Sequence, residues 1–556
     1  MIKNIQLKFG SAPGLDRVKI NATPVTVFVG PNNSGKSKIL QEIHRFCTDG
    51  VISTNDVILD SLTFEGFASD KVEDNIEYVR LSPRPGETVQ PGQVIIGKRN
   101  SRFNVLKEPL LQILQQPNQQ PNLFCAWYLA WNTIMLDGKN RINLVNQQQM
   151  GDLQQPPQSS FQVLFKDDNK RQDVRRIVYE AFGLYFVIDP TNGGLLRLRL
   201  SSIPPKSASE ERGLDEKSIR FHSKALPMES VSDGVKAFTG IITEIIAGDP
   251  KVLLIDEPEA FLHPALSYKL GKEIAKVSEG GDKRIFISTH SSNFVMGCIQ
   301  SGAPVNIVRL TYQNNIATAR VLPNDEILKL MRNPLLRSTG VLAGLFYEYV
   351  VVTESDADRA FYQEINERLL SLNSGQGIPN CLFINAQNKQ TVQIIIKPLR
   401  ELGIPAAGIV DIDILKEGGT VWTNFLSSGF VPPISHGSLS SLRAAIKLKL
   451  DATGKDMKRE GGIGLLSGSD KDAADNLFNQ LDEYGLFTVR NGELETWLKH
   501  LNIKGHTPEW LIKIFEKMGE DPTSVAYLKP SDDDVWRFIS KIKEWFSKTD
   551  RKGIPV

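Results

Sequence analysis

Val25-Thr-Val-Phe-Val29 runs directly into Gly30-Pro-Asn-Asn-Ser-Gly35-Lys36-Ser37, and the reading of this stretch decides the fold of the first half of the chain. The apolar, β-branched residues read as a buried strand feeding a loop, and helix is expected from Lys36 to about Phe46. The loop satisfies G-x-x-x-x-G-K-[ST] in full. Gly30 and Gly35 free the backbone N–H groups of the loop, which includes Asn32, Asn33 and Ser34, to wrap a β-phosphate. The N-terminus of the following helix adds its partial positive charge. Lys36 is expected to reach the β- and γ-phosphates, and the Ser37 hydroxyl to ligate Mg²⁺. A chance Gly-rich turn would need neither the strand before it nor the helix after it.

About 220 residues later, Lys251-Val-Leu-Leu-Ile255-Asp256-Glu257-Pro258 supplies the second half of a nucleotide site. An apolar strand delivers Asp256 to its end, to hold Mg²⁺ through water, and places Glu257 to polarise the attacking water as a general base. Ser230-Val-Ser232-Asp233-Gly234-Val-Lys236 opens a helix before this pair and resembles the signature motif of ABC ATPases. That resemblance implies that Ser232 and Gly234 contact the γ-phosphate held by an opposite subunit, although the motif departs from LSGGQ. Arg284-Ile-Phe-Ile-Ser-Thr289-His290 is a strand ending in a histidine, and His290 resembles the switch residue that senses the γ-phosphate. Gln147, Gln148 and Gln149 are equal candidates for the Q-loop glutamine. A signature motif completes a site only across a dimer, so ATP is expected to close two heads of a homodimer and act as a conformational ligand.

The bulk properties bound this reading. A chain of 556 residues exceeds one hydrophobic core and divides into two or three domains. Its 65 Lys and Arg balance 64 Asp and Glu, so any nucleic-acid surface must be a local patch. Cys47, Cys125, Cys298 and Cys381 form no CxxC pair or Cys/His cluster, which argues against a zinc site and for a reducing cytoplasm. The N-terminus lacks a signal-peptide pattern, and no run approaches the roughly 20 apolar residues that span a bilayer. The Gln/Pro-rich stretch at about 112–160 reads as a surface loop insertion, and residues 203–217 as a mobile loop. No heptads run between the ATP motifs, which separates the chain from long-armed SMC proteins.

A new pattern begins near Leu345, so the expected domains are 1–340 and 341–556. Strands at 381–385, 406–411 and 486–490 alternate with helical segments, as in a parallel α/β sheet. Glu354 ends the apolar run Val350-Val-Val-Thr353, and Asp358 follows one helical turn later. Ala407-Gly-Ile-Val-Asp411-Ile-Asp413 ends another strand in a D-x-D pair. Strand C-termini of an open parallel sheet gather at one crevice, where clustered carboxylates bind hard divalent cations. Asp413 has the alternative reading of a turn or N-cap residue, and Asp356 and Glu493 read as solvated surface charges.

The E-x-x-x-D after one strand and the D-x-D after another resemble a TOPRIM domain, the metal-binding fold of topoisomerases, primases and certain nucleases. Gly492-Glu493-Leu494-Glu495, after the strand at 486–490, is similar to a further element of one subgroup. An α/β ABC-type P-loop ATPase head followed by a TOPRIM domain with a helical C-terminal portion resembles the OLD (overcoming lysogenisation defect) family of endonucleases, which includes the Gabija nuclease subunit. The resemblance implies that Glu354, Asp358, Asp411, Asp413 and Glu495 bind Mg²⁺ or Mn²⁺ or support its ligands, with Glu354, Asp411 and Asp413 catalytic. It implies two-metal phosphodiester hydrolysis regulated by ATP, and an antiphage role with DNA, structured RNA or tRNA as target. A separate defence partner protein is compatible with it. Lys499 is the candidate for a basic residue that aids the transition state in some members. Trp510, Trp536 and Trp545 have two readings, as stacking partners of nucleic acid or as a helical cap. The alternative function is a RecF/SMC-like ATPase that clamps DNA or recruits a separate effector.

Overall fold

The computed structural model describes residues 1–556 except 85, 99, 100, 314, 339, 373, 374 and 556. The chain divides into two units, Met1–Leu328 and Lys329–Val556. Helices Asn324–Arg332 and Pro334–Ser338 lie between this division and the boundary expected at 340, the first of them spanning the division.

The first unit is organised by a six-stranded sheet in the order Ile316–Leu322, Val305–Gln313, Val25–Val29, Arg284–Ser288, Val252–Asp256, Thr133–Leu136. Five of these strands are parallel, and Ile316–Leu322 pairs antiparallel at one edge. Val25–Val29 is buried along its whole length, as a continuous apolar run in a covered parallel sheet must be. Its register matters for the site. Ser288 lies beside Asp256 on one flank and Phe28 on the other, so the phosphate loop, the acidic pair and His290 all emerge from one sheet edge.

Two segments are more ordered than their composition implied. Within 112–160, the prolines do interrupt helices, but Phe124, Cys125, Tyr128, Leu129 and Leu136 between them are buried, and Thr133–Leu136 joins the central sheet. An apolar run enclosed by polar repeats outweighs the average composition of the stretch. Within 203–217, Ser207 and Asp215 cap the helices Ala208–Arg212 and Glu216–Ser223. Glu211 is buried there between Arg171 and Arg175, at 3.1 and 2.5 Å.

The second unit is a four-stranded, fully parallel sheet in the order Cys381–Asn385, Tyr349–Thr353, Ala406–Asp411, Leu486–Val489. In chain order this is 2-1-3-4, so the connections leave the first strand in opposite directions. That creates a crevice at the C-terminal ends of Tyr349–Thr353 and Ala406–Asp411. Helices Glu509–Met518 and Asp534–Ser547 cover one face. Trp510, Trp536 and Trp545 are buried in that cap with Trp497, so they pack the core and are closed to base stacking. No helix among the described residues is long and apolar enough to cross a membrane.

Candidate nucleotide and metal sites

At the first sheet edge, Lys36 Nζ donates to the carbonyls of Gly30 (3.0 Å) and Pro31 (2.7 Å), which places its charge within the phosphate loop. Burial lowers Lys36 to about 8, against the raising influence of Glu257, Asp256 and Glu259. Ser37 Oγ donates to Asp256 Oδ1 at 2.8 Å, and Ser288 Oγ donates to the same oxygen. A hydroxyl and a carboxylate meeting beside a phosphate cradle fit Mg²⁺ bound with a nucleotide. Glu257 Oε1 lies 3.6 Å from His290 Nε2. The main-chain N–H of His290 donates to Glu259 Oε1 at 2.8 Å, a role for Glu259 that the sequence did not single out.

Ser232 is exposed at the N-cap of the helix Asp233–Thr243, and Gly234 is buried in its first turn. Gln148–Gln149 pairs with Leu195–Leu196 in an antiparallel ladder. From this part of the chain, the side chain that reaches the acidic pair is Arg141, which sequence reasoning missed. Its only sequence signal is its place shortly after a sheet strand.

In the second unit, Glu354, Asp411 and Asp413 each offer a carboxylate oxygen within 4.8 Å of the others. Strand ends set this geometry: Glu354 follows Tyr349–Thr353, and Asp411 closes Ala406–Asp411 and donates its N–H to Glu354 Oε1 at 2.8 Å. Asp413 sits in the turn that follows; its Oδ2 accepts from Lys389 Nζ at 2.9 Å, while its buried Oδ1 has no hydrogen-bond partner. Three clustered carboxylates, one of them with an orphaned oxygen, fit a hard divalent cation.

Of the five acids implied by resemblance, these three offer oxygens within one ligand distance of one another, and the other two each engage an oxygen elsewhere. Asp358 is spent on a capping box, its Oδ2 accepting from Ser355 N–H and Oγ at the start of helix Asp356–Ser371. Glu495 turns toward Thr507, accepting from its N–H at 2.9 Å. Glu493, read as a solvated charge, is only 13% exposed and pairs with Lys458 at 3.7 Å. Lys499 lies on an exposed turn; besides Lys389, the amine that meets the acids is Lys458, whose Nζ is 2.9 Å from Asp411 and 4.0 Å from Asp413. Lys458 comes from an irregular segment with no motif around it.

Burial, reinforced by the Asp411 charge, lifts Glu354 to about 8. Burial lifts Asp411 to about 7 although Lys458 opposes it. The native state therefore keeps protons that the unfolded chain has released, and stability falls as pH rises from the ordinary carboxylate range, about 4, through about 8. The metal-free protein is expected to melt at progressively lower temperature across this window, with a shallower slope in Glu354→Gln. Mn²⁺ should flatten the wild-type slope by binding the ionised form. Equal slopes for the two proteins would contradict this assignment.

Comparisons with known proteins bear on both sites. A family described as "AAA domain, putative AbiEii toxin, Type IV TA system" matches residues 160–296. The Old nuclease of Escherichia phage P2 is 26% identical over 176 residues, which is 30% of this chain and 28% of that protein's length. That similarity covers under a third of either chain. Solved structures similar to this chain include the Smc head bound to the C-winged helix domain of ScpA, at 15% identity, TM-score 0.35, 59% of this chain and 99% of that one. The SMC head domain from Thermotoga maritima matches at 12% identity and TM-score 0.29, over 58% of this chain and 99% of the other.

Proposed function

We propose that the chain is an ATP-regulated, metal-dependent endonuclease of the OLD type that cuts nucleic acid in antiphage defence. The observation that carries the nuclease reading is the meeting of Glu354, Asp411 and Asp413 at the crevice of a parallel sheet, with Lys458 beside them. These three acids would hold Mg²⁺ or Mn²⁺, which when bound supplies an activated water and stabilises the leaving oxygen. Lys389 fixes the Asp413 carboxylate through its Oδ2. Lys458 offers an ammonium at the same acids, placed to neutralise charge on a phosphodiester. The sheet topology and the capping box of Asp358 hold these groups rigidly, so little is left to reorganise when substrate arrives.

In the first unit, Lys36 and the loop amides bind the phosphates, Ser37 and Asp256 hold Mg²⁺, and Glu257 orients the attacking water. Ser232 and Gly234 serve a partner's nucleotide, so the working form is a cytoplasmic homodimer closed by ATP. DNA is the favoured target, with structured RNA or tRNA as the competing one.

The direct test incubates the purified full chain with supercoiled plasmid, and separately with tRNA, in Mg²⁺ or Mn²⁺ with and without ATP. Nicking that EDTA abolishes is expected. A wild-type protein that binds DNA in an ATP-dependent way, yet cuts neither substrate in either metal, would favour the DNA-clamp alternative.

A further inference from the structure

We propose that Arg141 is a positioning residue for ATP hydrolysis, holding the backbone of the acidic pair so that the Glu257 carboxylate faces the attacking water. The inference rests on the nucleotide-site reading given above. Arg141 is only 2% exposed, and its Nη1 donates to Asp256 O at 2.8 Å and to Glu257 O. None of the ion pairs among the described residues includes Arg141, so its buried cation is committed to main-chain oxygens.

What those oxygens belong to is the decisive point. Glu257 has φ of +51°, a left-handed conformation that non-glycine residues rarely adopt. Its N–H is anchored on Ser288 O at 2.9 Å, and its carbonyl accepts from Arg141 and from Ala260 N–H, the latter at 3.0 Å. With both flanking peptide groups held, the direction of the side chain is fixed. Loss of Arg141 leaves the carbonyl with the Ala260 bond alone, so less opposes relaxation to an ordinary φ, which would swing the carboxylate away. The guanidinium also lies over the ring of Phe261, 5.8 Å from its centroid, and Phe261 is likewise left-handed at +70°. One cation thus engages both strained residues that bound the loop Glu257–Phe261.

The arginine also links this loop to the signature-like helix. A Cβ on Gly240 of Asp233–Thr243 would stand 2.8 Å from Leu144 Cβ and 3.1 Å from Arg141 O. A Cβ on Gly234 would stand 2.5 Å from Phe261 O. The helix opened by Ser232 therefore packs without slack on both the arginine segment and the loop it holds. Lysine could donate to the carbonyls but has no planar face to lie over Phe261.

The test measures steady-state ATP hydrolysis and fluorescent-nucleotide affinity for the full chain, with Arg141→Ala and Arg141→Lys. A displaced base costs about 100-fold. Arg141→Ala is therefore expected to lose about that factor in kcat, with Kd within about threefold of wild type. Millimolar guanidinium should restore part of its activity, and Arg141→Lys should fall between the two. Should Arg141→Ala fail to fold, Arg141→Lys decides: a kcat loss at unchanged Kd supports the role, and unchanged kcat overturns it. Wild-type turnover in a folded Arg141→Ala refutes the proposal alone, as does a parallel loss of binding and turnover that guanidinium does not relieve. A wild-type protein that does not hydrolyse ATP overturns the nucleotide-site reading, and this proposal with it.

Discussion

Glu354→Gln and Asp411→Asn are each expected to reduce metal-dependent nucleic-acid cutting by at least about 100-fold, because changes to mere supports of metal ligands already cost about 10- to 100-fold. The amides keep the size of the side chains they replace. In Glu354→Gln the new side-chain carbonyl can still accept the Asp411 N–H, so the sheet edge is preserved. Each change also removes the need to ionise a buried acid, although Asp411→Asn gives up the ion pair with Lys458. A loss of activity therefore reports on the chemistry, and intact ATP hydrolysis in the same preparations confirms that the first unit is unharmed. Isothermal titration with Mn²⁺ should show the matching loss of binding. Cutting at the wild-type rate by Glu354→Gln would remove that residue from the site, and with it the reason for assigning a nuclease.

The second large effect is expected from Glu257→Gln in the nucleotide site. A positioned general base contributes about 10²- to 10⁴-fold, so turnover should fall by at least about 100-fold. Glutamine retains the backbone and the length of the side chain, and Lys36 and Ser37 are untouched, so ATP should still bind. The expected signature is thus nucleotide retention without phosphate release. Light scattering or sedimentation should then find the ATP-bound heads trapped together. Phosphate release at the wild-type rate would show that another group orients the water; His290, 3.6 Å from Glu257, is the nearest alternative on the same sheet edge.

The parts of these sites that the sequence discloses share one property: each is written in consecutive residues. The loop Gly30–Ser37 and the strand that delivers Asp256 carry their chemistry within a single turn of chain, and the fold assembles them as read. Glu354 and Asp411 were legible because an apolar run ending in an acid marks a strand C-terminus, and parallel strands bring such ends together. The cations that complete the sites have no such mark. Lys458 reaches Asp411 from an irregular segment, and Arg141 reaches Glu257 from a four-residue helix. Their positions depend on tertiary packing, which local pattern does not encode. Spacing points to Asp358 and resemblance to Glu495, and in each a local hydrogen bond, to Ser355 or to Thr507, engages one carboxylate oxygen. The Gln-rich stretch misled for a related reason: composition averaged over it conceals Phe124–Leu129, whose burial is decided by a few large side chains.

The burial of the tryptophans gives the second unit its own optical gauge. Trp497 stands two residues beyond Glu495 and donates its indole N–H to Tyr362 Oη at 3.0 Å, and Trp510, Trp536 and Trp545 share its core. Tyr362 feels the charges of Asp358, Asp411 and Glu354. A cation taken up at the acids would change the electric field across these indoles, so a change in intrinsic emission on adding Mn²⁺, over the constant background of Trp127 and Trp131, would follow its uptake without a label.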